Sequence, residues 1–242
     1  MEYREFEALF AEALQKNNLS ALNSKAIERF WRFSVHLLKV NEITNLTAIR
    51  NMPDTISKHL VDSLLCAELI PQGARVLDIG CGAGFPSIPL AIARPDLEIV
   101  ALDSTSKKIA FVKEASALIG LENLSAISGR AEDVAVSKQI GVFDAVVSRA
   151  VARMCVLSEL CLPYLKIGGK FVALKATKAE EELADAQNAI RILGGASAIL
   201  HERALQLFDA PAERRCLIEV QKIKKTPAGY PRAYATISKK PL

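Results

Sequence analysis

The sequence has few cysteines and histidines and no long apolar run, and each shortage excludes a class of protein. Its five cysteines are scattered and form no C-x-x-C pair, which argues against a disulfide framework or a zinc site. Its three histidines show no metal-ligand spacing, so we expect no metal. The longest apolar runs, such as residues 88–93, are too short to span a bilayer.

The first residues lack the features of a secretory signal. Residues 1–6 read MEYREF, with acidic side chains where a signal peptide has a basic region followed by an apolar one. We therefore expect a cytoplasmic protein that does not contact membranes. No sequence feature indicates an obligate partner subunit, so a monomer is expected.

Acidic residues are absent from the last part of the chain. Residues 220–242 contain six basic side chains and no acidic one, whereas the whole chain has a net charge of only +4. The remainder is therefore slightly acidic. A localised basic segment favours polyanions, although lysines in a tail also serve solubility alone.

The order of predicted elements indicates an α/β fold. Apolar residues recur at helical spacing in the first seventy residues, with a predicted loop at 41–47 and a third helix starting at Pro53. From Gly73 onward, short β-branched runs alternate with helices, which is typical of βαβ units. The predicted strands are 75–79, 98–103, 124–128, 143–148 and 169–175, followed by an antiparallel edge pair at 196–205 and 214–222.

These elements predict a Rossmann-like, mostly parallel sheet with an antiparallel edge and helices on both faces. The predicted connecting helices are 86–93, 106–119, 154–165 and 178–193. The chain is divided into an N-terminal helical extension (1–70), a core (71–222) and a basic tail (223–242), which we expect to lie extended over the surface.

A glycine-rich segment follows the first predicted strand. Residues 76–86 read VLDIGCGAGFP, an apolar strand that ends in Asp78 and is followed by alternate glycines at Gly80, Gly82 and Gly84. Glycine lets a ligand approach the backbone closely. The spacing differs from the dinucleotide fingerprint G-x-G-x-x-G. It matches D-x-G-x-G-x-G, the first motif of Rossmann-like methyltransferases, where the acid suits the cationic methionine moiety of S-adenosylmethionine.

Three further loops are expected to meet the glycine loop at the carboxyl ends of the strands. Asp103 ends the second strand and is placed to accept hydrogen bonds from ribose hydroxyls. Residues 129–133 follow the third strand, where the adenine is expected, and 143–150 lead to the catalytic mouth. Alternative readings remain: Asp78 as a loop-capping acid, Asp103 as a helix N-cap, and Arg130 as a surface residue.

Two acceptor-specific motifs are missing. After the fourth strand, residues 148–151 read SRAV, not the Asn/Asp-Pro-Pro-Tyr/Phe pattern of enzymes that methylate exocyclic base amines. Neither Cys155 nor Cys161 has the preceding proline of a cytosine-C5 nucleophile. Guanine N7 needs neither device, because its lone pair is available without loss of a proton.

The chain resembles the RsmG (GidB) family of bacterial 16S rRNA guanine-N7 methyltransferases. The motifs that carry the resemblance are 45–49 (NLTAI), 58–63 (KHLVDS), 76–92, 130–132 (RAE), 148–150 (SRA) and 230–232 (YPR). The resemblance implies methyl transfer from S-adenosylmethionine to N7 of guanine 527, in the small ribosomal subunit or a late precursor. Direct in-line displacement without a general base is expected.

The motifs and the resemblance together give candidate roles to individual residues. Candidate catalytic residues are Arg149, Phe85 and Asn45. Candidate cofactor-binding residues are Asp78, Gly80, Cys81, Gly82, Gly84, Phe85, Asp103, Arg130, Ala131, Glu132 and Arg149. Candidate RNA-binding residues are Lys175, Lys222, Lys224, Lys225 and Arg232, and His59 and Asp62 are candidates for shaping the site.

Three positions depart from the family pattern. Ser87 and Ala176 stand where glycine is usual, and 233–235 read AYA in place of the usual basic, Gly-Pro-containing sequence. Two other functions compete with the leading hypothesis: a methyltransferase of a small molecule or protein, and a non-catalytic protein that binds S-adenosylmethionine and ribosomes. An NAD-dependent dehydrogenase ranks last because of the register of Asp78.

Overall fold

The computed structural model describes residues 1–149 and 152–242. Ala150 and Val151, which end the SRAV segment, lie outside the described residues. Among the described residues, no helix is long and apolar enough to cross a membrane. The same residues contain no cluster of three or more His, Cys, Asp or Glu side chains suited to a metal ion.

A seven-stranded sheet forms the centre of the molecule, in the order β3-β2-β1-β4-β5-β7-β6. The strands are β1 (Arg75–Ile79), β2 (Glu98–Asp103), β3 (Leu124–Ser128), β4 (Phe143–Arg149), β5 (Leu165–Lys175), β6 (Ile199–Leu205) and β7 (Glu213–Gln221). Strands β1 to β5 are parallel, and β7 pairs antiparallel with both β5 and β6. The predicted sheet with its antiparallel edge is confirmed.

Helical segments cover both faces of the sheet. They are α1 (Tyr3–Lys16), α2 (Ser24–Thr44), α3 (Met52–Asp54), a π-helix (Thr55–Val61), α4 (Asp62–Leu64), α5 (Ser87–Ala93), α6 (Ser106–Leu118), α7 (Val134–Ile140), α8 (Met154–Cys161), α9 (Ala179–Ile192) and α10 (Tyr234–Lys239), with 3₁₀ turns at Ala67–Leu69 and Leu162–Tyr164.

Alternate residues of the strands feed two separate apolar layers. Val76 and Val147 pack on the face covered by α1, α2, α5 and α6. Leu77 and Val146 pack on the opposite face, under α8 and α9. Because the strands are buried on both faces, they appear in the sequence as continuous apolar runs. The two layers hold the sheet in place, and the functional loops meet at the carboxyl ends of its parallel strands.

Helix α2 corrects the predicted loop at 41–47. The helix begins after Asn23, whose side chain caps Ala26 N, and it continues to Thr44. Asn45 ends the helix in the left-handed conformation, with φ of 49°. The helix therefore includes Asn41, and the loop comprises only the residues after Asn45. The weak helix propensity of these residues is overridden by the cap and by tertiary packing.

The tail and one connection also differ from the prediction. Residues 234–239 form α10, not an extended strand, because Ile237 is fully buried against the layer that contains α8. Helix α7 was not predicted; Asp133 caps it by accepting a hydrogen bond from Ala135 N. The proposed domain boundary at residue 70 stays a prediction, since the N-terminal helices share one apolar layer with the sheet.

Candidate active site

Three adjoining cavities lie at the carboxyl ends of the parallel strands. The central cavity, of about 480 Å³, is lined by the glycine loop, Asp103 and Lys108. The side cavity, of about 240 Å³, shares Gly80 and Asp103 with it. The third, called here the basic pocket, has a volume of about 620 Å³, and of the described residues it shares only His59 and Arg149 with the central cavity.

The glycine loop presents bare backbone to the central cavity. A Cβ atom on Gly82 would meet nothing within 4 Å, although its φ of +56° strains any other residue. At Gly84 a Cβ atom would lie 2.5 Å from Ile88 Cδ1, so this glycine permits helix α5 to pack against the loop. The predicted cofactor-binding residues Gly80, Cys81, Gly82 and Phe85 all line the cavity.

Asp103 holds this loop and lines both the central cavity and the side cavity. Its Oδ2 accepts from Gly82 N at 3.0 Å, and its Oδ1 accepts from Thr105 N at 2.8 Å. Each carboxylate oxygen can accept a second hydrogen bond. Asp103 is not the N-cap of α6, because Thr105 holds that position, but its bonds to the loop leave acceptor capacity for ribose hydroxyls.

Asp78 lies beneath the cavity and does not form part of its wall. Its side chain is fully buried, and Oδ2 accepts from Ser87 N, the first residue of α5, at 3.0 Å. Burial raises the pKa of Asp78 to about 7. The predicted direct contact with a methionine moiety does not fit this position. The alternative reading, an acid that caps the loop, does.

The side cavity contains two of the predicted adenine-side residues. Arg130 and Glu132 line it with Gly129, Leu160 and Tyr234, and Arg130 Nη1 lies 3.5 Å from Glu132 Oε1. Ala131 is buried, and its carbonyl oxygen accepts a hydrogen bond from the Tyr164 hydroxyl at 2.7 Å. Ala131 therefore shapes the loop between its two neighbours.

Arg149, His59 and Phe85 form the partition between the central cavity and the basic pocket. The His59 ring stacks on Phe85, with centroids 4.3 Å apart and an angle of 21°. The Arg149 guanidinium carbon lies 5.0 Å from the Phe85 ring centroid. Arg149 Nη2 lies 3.2 Å from His59 Nδ1, so the three side chains fix one another.

The hydrogen bonds of His59 define its protonation state. A guanidinium can only donate, so His59 Nδ1 must accept from Arg149. The proton is then on Nε2, which donates to Thr47 Oγ1 at 2.7 Å. Burial, followed by the charge of Arg149, lowers the pKa of His59 to about 3. His59 is therefore a neutral positioning group and not a proton acceptor.

Asp62 joins two arginines from distant segments. It accepts from Arg149 Nη1 at 3.2 Å and from Arg215 Nε at 2.7 Å. The π-helix places Lys58 and His59 beside this carboxylate, and Arg149 Nη1 also donates to the Lys58 carbonyl oxygen. A π-turn in a helix is frequently associated with a functional site.

The basic pocket has an excess of positive charge. Its walls include two carboxylates, Asp62 and Glu182, and five cationic side chains, Lys58, Arg149, Arg153, Lys175 and Arg215. Lys175 is partly neutralised, because its amine donates to Glu182 Oε2 at 2.7 Å. Arg153 is exposed, and among the described residues it has no ion pair. The pocket suits an anionic ligand.

The predicted RNA-binding residues of the tail separate into two groups. Lys224 and Lys225 are exposed. Lys222 is 2% exposed, and its amine donates to the Leu193 carbonyl oxygen at 2.6 Å and to Thr226. Burial lowers its pKa to about 8. Arg232 forms an ion pair with the fully buried Glu159. These internal bonds argue against the predicted RNA contacts of Lys222 and Arg232.

Asn45 lies apart from the three cavities. It is exposed, and its side-chain oxygen accepts from Arg50 Nη2 at 3.0 Å. The nearby residue that sequence reasoning missed is Asn41, which is 1% exposed. Its amide donates to the carbonyl oxygens of Thr47 and Ile49 and accepts from Thr47 N. Asn41 thus holds the loop that carries Thr47 to His59.

Arg153, Arg215, Lys108 and Tyr234 were also missed in the sequence. Arg215 lies on β7, beside Cys216, which pairs with Lys175 of β5. Only this antiparallel register places Arg215 at the mouth of the parallel strands. Residue spacing in the sequence contains no signal for this placement.

The central and side cavities together fit S-adenosylmethionine. They lie side by side and share the wall residues Gly80, Asp103 and Ser104. Asp103 lines both cavities and would have acceptor capacity for ribose hydroxyls. The side cavity would hold the adenine, and the backbone of Gly82 would face the methionine portion. Lys108 offers a cation to a carboxylate in the central cavity.

A solved structure shows the same fold. A SAM-dependent O-methyltransferase from Thermotoga maritima superposes with a TM-score of 0.55 at 18% identity. The match covers 79% of this chain and 72% of that one. Together with the seven-stranded sheet order, it shows that the chain has the Rossmann-like fold of class I methyltransferases.

Sequence comparison identifies the family. The chain is 44% identical to a ribosomal RNA small subunit methyltransferase G of Lactobacillus delbrueckii subsp. bulgaricus, over 97% of this chain and 98% of that protein. It is 42% identical to the protein of that name from Exiguobacterium, over 98% and 99%. The cofactor of the present chain is S-adenosylmethionine. Since the family model described as rRNA small subunit methyltransferase G matches residues 26–206, the chain belongs to this family.

Proposed function

We propose that this protein methylates N7 of a guanine in 16S rRNA, guanine 527 by its family resemblance. The observation that carries the proposal is the basic pocket, which adjoins the cofactor cavity at Arg149 and His59. An anionic acceptor is attracted to this pocket, and an acceptor atom that approaches the partition reaches the cofactor side. The relatives named as rRNA small subunit methyltransferases support RNA as that acceptor.

The described side chains at the partition suit an acceptor that has no proton to lose. Both nitrogens of His59 are engaged, and its pKa is lowered to about 3. Asp62 is paired with two arginines and Glu182 with Lys175. A general base needs a free acceptor near the reacting atom. Guanine N7 attacks with its lone pair and requires none.

Positioning is then the main contribution of the protein. S-adenosylmethionine supplies a methyl group activated by the positive sulfonium. Arg149 uses three of its five N–H donors within the protein, to Lys58, Asp62 and His59. Its remaining donors are available for guanine O6 or for the cofactor. Phe85 and His59 hold the guanidinium in place, and an oriented acceptor lowers the entropic part of the barrier.

RNA affinity is assigned to the basic pocket and to the exposed tail lysines. Lys58, Arg153 and Arg215 surround the entrance to the partition, and Lys224 and Lys225 are exposed on the tail. Cationic side chains bind phosphates by releasing counterions, so affinity should fall steeply with salt. Guanine in an unpaired loop can be presented to such a pocket, because its edges are accessible.

The proposal is tested by transfer of a labelled methyl group from S-adenosylmethionine to small ribosomal subunits. Digestion and nucleoside analysis should place the label in 7-methylguanosine, and Arg149→Ala should abolish most of it. Label in another nucleoside would refute the N7 assignment. An unlabelled subunit, together with turnover of a small molecule or protein, would refute the RNA acceptor. Cofactor binding without any turnover would indicate a non-catalytic protein.

A further inference from the structure

The C-terminal segment is fastened to the methyltransferase core and does not form a free basic arm. Arg232 donates to Glu159 of α8 through its backbone N and Nε, both at 2.8 Å, and through Nη2 at 2.6 Å. Glu159 is fully buried, and so is Ile237 of α10. Two anchors therefore flank Tyr234 in the sequence and fix its position on the core.

Tyr234 reaches the cofactor side of the molecule. It lines the side cavity together with Ile79, Leu160 and the polar residues of the loop after β3. Of the tail residues after 222, it is the one in the wall of this cavity. Its side chain is 40% exposed, so much of the ring remains available for contact with a ligand.

We propose that Tyr234 forms part of the adenine-binding site for S-adenosylmethionine, which makes the C-terminal segment a cofactor-binding element. Flat heterocycles bind between apolar or aromatic surfaces, with polar groups at their edges. Tyr234, Leu160 and Ile79 supply apolar surface, and Glu132 supplies a polar edge.

This inference assigns Arg232 and Tyr234 to the core and the cofactor, and it leaves RNA contacts in the tail to the exposed Lys224 and Lys225. The tail was expected to contact polyanions because it has basic residues and no acidic one, yet Arg232 neutralises a buried carboxylate and Tyr234 lines the side cavity. The inference rests on the cofactor and not on the guanine acceptor. A binding measurement without RNA therefore tests it independently of the proposed reaction.

The experiment compares binding of S-adenosylmethionine and 5′-methylthioadenosine by calorimetry to wild type, Tyr234→Ala and Tyr234→Phe. Because stacking of a base on an aromatic ring contributes to the binding free energy, both ligands should bind roughly tenfold more weakly to Tyr234→Ala. Tyr234→Phe keeps the ring and should remain within about twofold of wild type. Lys239→Ala, on the same helix but outside the cavity, is the matched control.

The two ligands locate the contact, since 5′-methylthioadenosine carries the adenine without the amino-acid end. Equal losses place Tyr234 at the adenine. Wild-type affinity of Tyr234→Ala for both ligands would overturn the proposal, as would a loss limited to S-adenosylmethionine or to RNA. A second measurement needs no variant: saturation of tyrosine ring protons in the wild type should transfer to adenine H2 and H8. Absence of this transfer in a saturated complex would also overturn it.

Discussion

The cofactor cleft and the basic pocket are built from the chain in different ways. The cleft, which comprises the central and side cavities, is lined mainly by the loops that directly follow β1, β2 and β3. The basic pocket combines long side chains from the π-helix, β4, β5, α9 and β7. The two share Arg149 and His59. Each cavity should therefore bind its ligand independently, and only the shared pair should affect the transfer itself.

The largest effect is expected for Arg149→Ala, since this residue belongs to both cavities. The transfer rate should fall by about 10²- to 10³-fold, because small misplacements of reacting groups cost that much. Folding should change less, because Asp62 keeps its bond of 2.7 Å to Arg215. Single-turnover transfer and thermal melting measure the two effects. A rate loss no larger than the loss of folded protein would contradict the role.

Asp103→Ala should damage the cofactor cleft alone. The variant loses the carboxylate that would accept from the ribose hydroxyls and that holds Gly82 N. We therefore expect S-adenosylmethionine to bind roughly 10- to 100-fold more weakly. RNA affinity should stay at the wild-type value. Calorimetry and filter binding report these two quantities, and Asp103→Asn is the isosteric control. Unchanged cofactor affinity in Asp103→Ala would remove the ribose assignment.

Arg153→Gln is expected to damage the basic pocket alone. Its side chain is exposed and lines the pocket, so its loss should weaken RNA binding about three- to tenfold and reduce the salt slope by about one. Arg4→Gln makes the same charge change on α1, outside the three cavities. An equal loss of RNA affinity in both variants would show that binding depends on the total charge of the protein and not on the basic pocket.

The smallest effect on transfer concerns pH. Because burial and Arg149 lower the pKa of His59 to about 3, the transfer rate should show no histidine titration between about pH 5.5 and 8. Stability should respond instead. The unfolded chain takes up a proton below about pH 6.5 and the folded chain does not, so the contribution of His59 is complete above that pH and falls towards pH 3.

Denaturant unfolding of wild type and His59→Gln from pH 7 to 4.5 measures this contribution. The free energy of unfolding of the wild type should fall more steeply with acid, by at most roughly 1.4 kcal/mol per pH unit. Parallel curves for the two proteins would show that His59 is protonated in the folded state. A histidine titration in the transfer rate that His59→Gln removes would point to the same conclusion.

The cofactor cleft could be predicted from sequence because its residues are fixed by local rules. Parallel strands end at one edge of the sheet, and each functional loop follows a strand directly. Gly80, Gly82 and Asp103 line the central cavity and Glu132 lines the side cavity, whereas Gly84 lies outside both walls and packs against α5. Asp78 was misread because strand register decides whether an acid faces the ligand or the first turn of the next helix.

The resemblance named His59, Asp62, Arg149 and Lys175, but residue patterns could not predict that they form one basic pocket, because the pocket depends on long-range contacts. Arg215 enters the pocket through the register of β7 against β5, and His59 through a π-helix that residue spacing does not signal. Lys222 illustrates the opposite error. A lysine in a basic tail suggests a solvated side chain, yet its amine hydrogen bonds to Leu193 and Thr226 inside the protein.

The most direct test of the proposed reaction replaces the acceptor atom. Small subunits assembled with 7-deazaguanine at position 527 have a carbon in place of N7 and keep the remaining base edges. Transfer of labelled methyl from S-adenosylmethionine should disappear, while binding of the protein to the subunit stays within about threefold of the unmodified control. Undiminished methyl incorporation into the 7-deaza subunits would contradict transfer to N7 of that guanine.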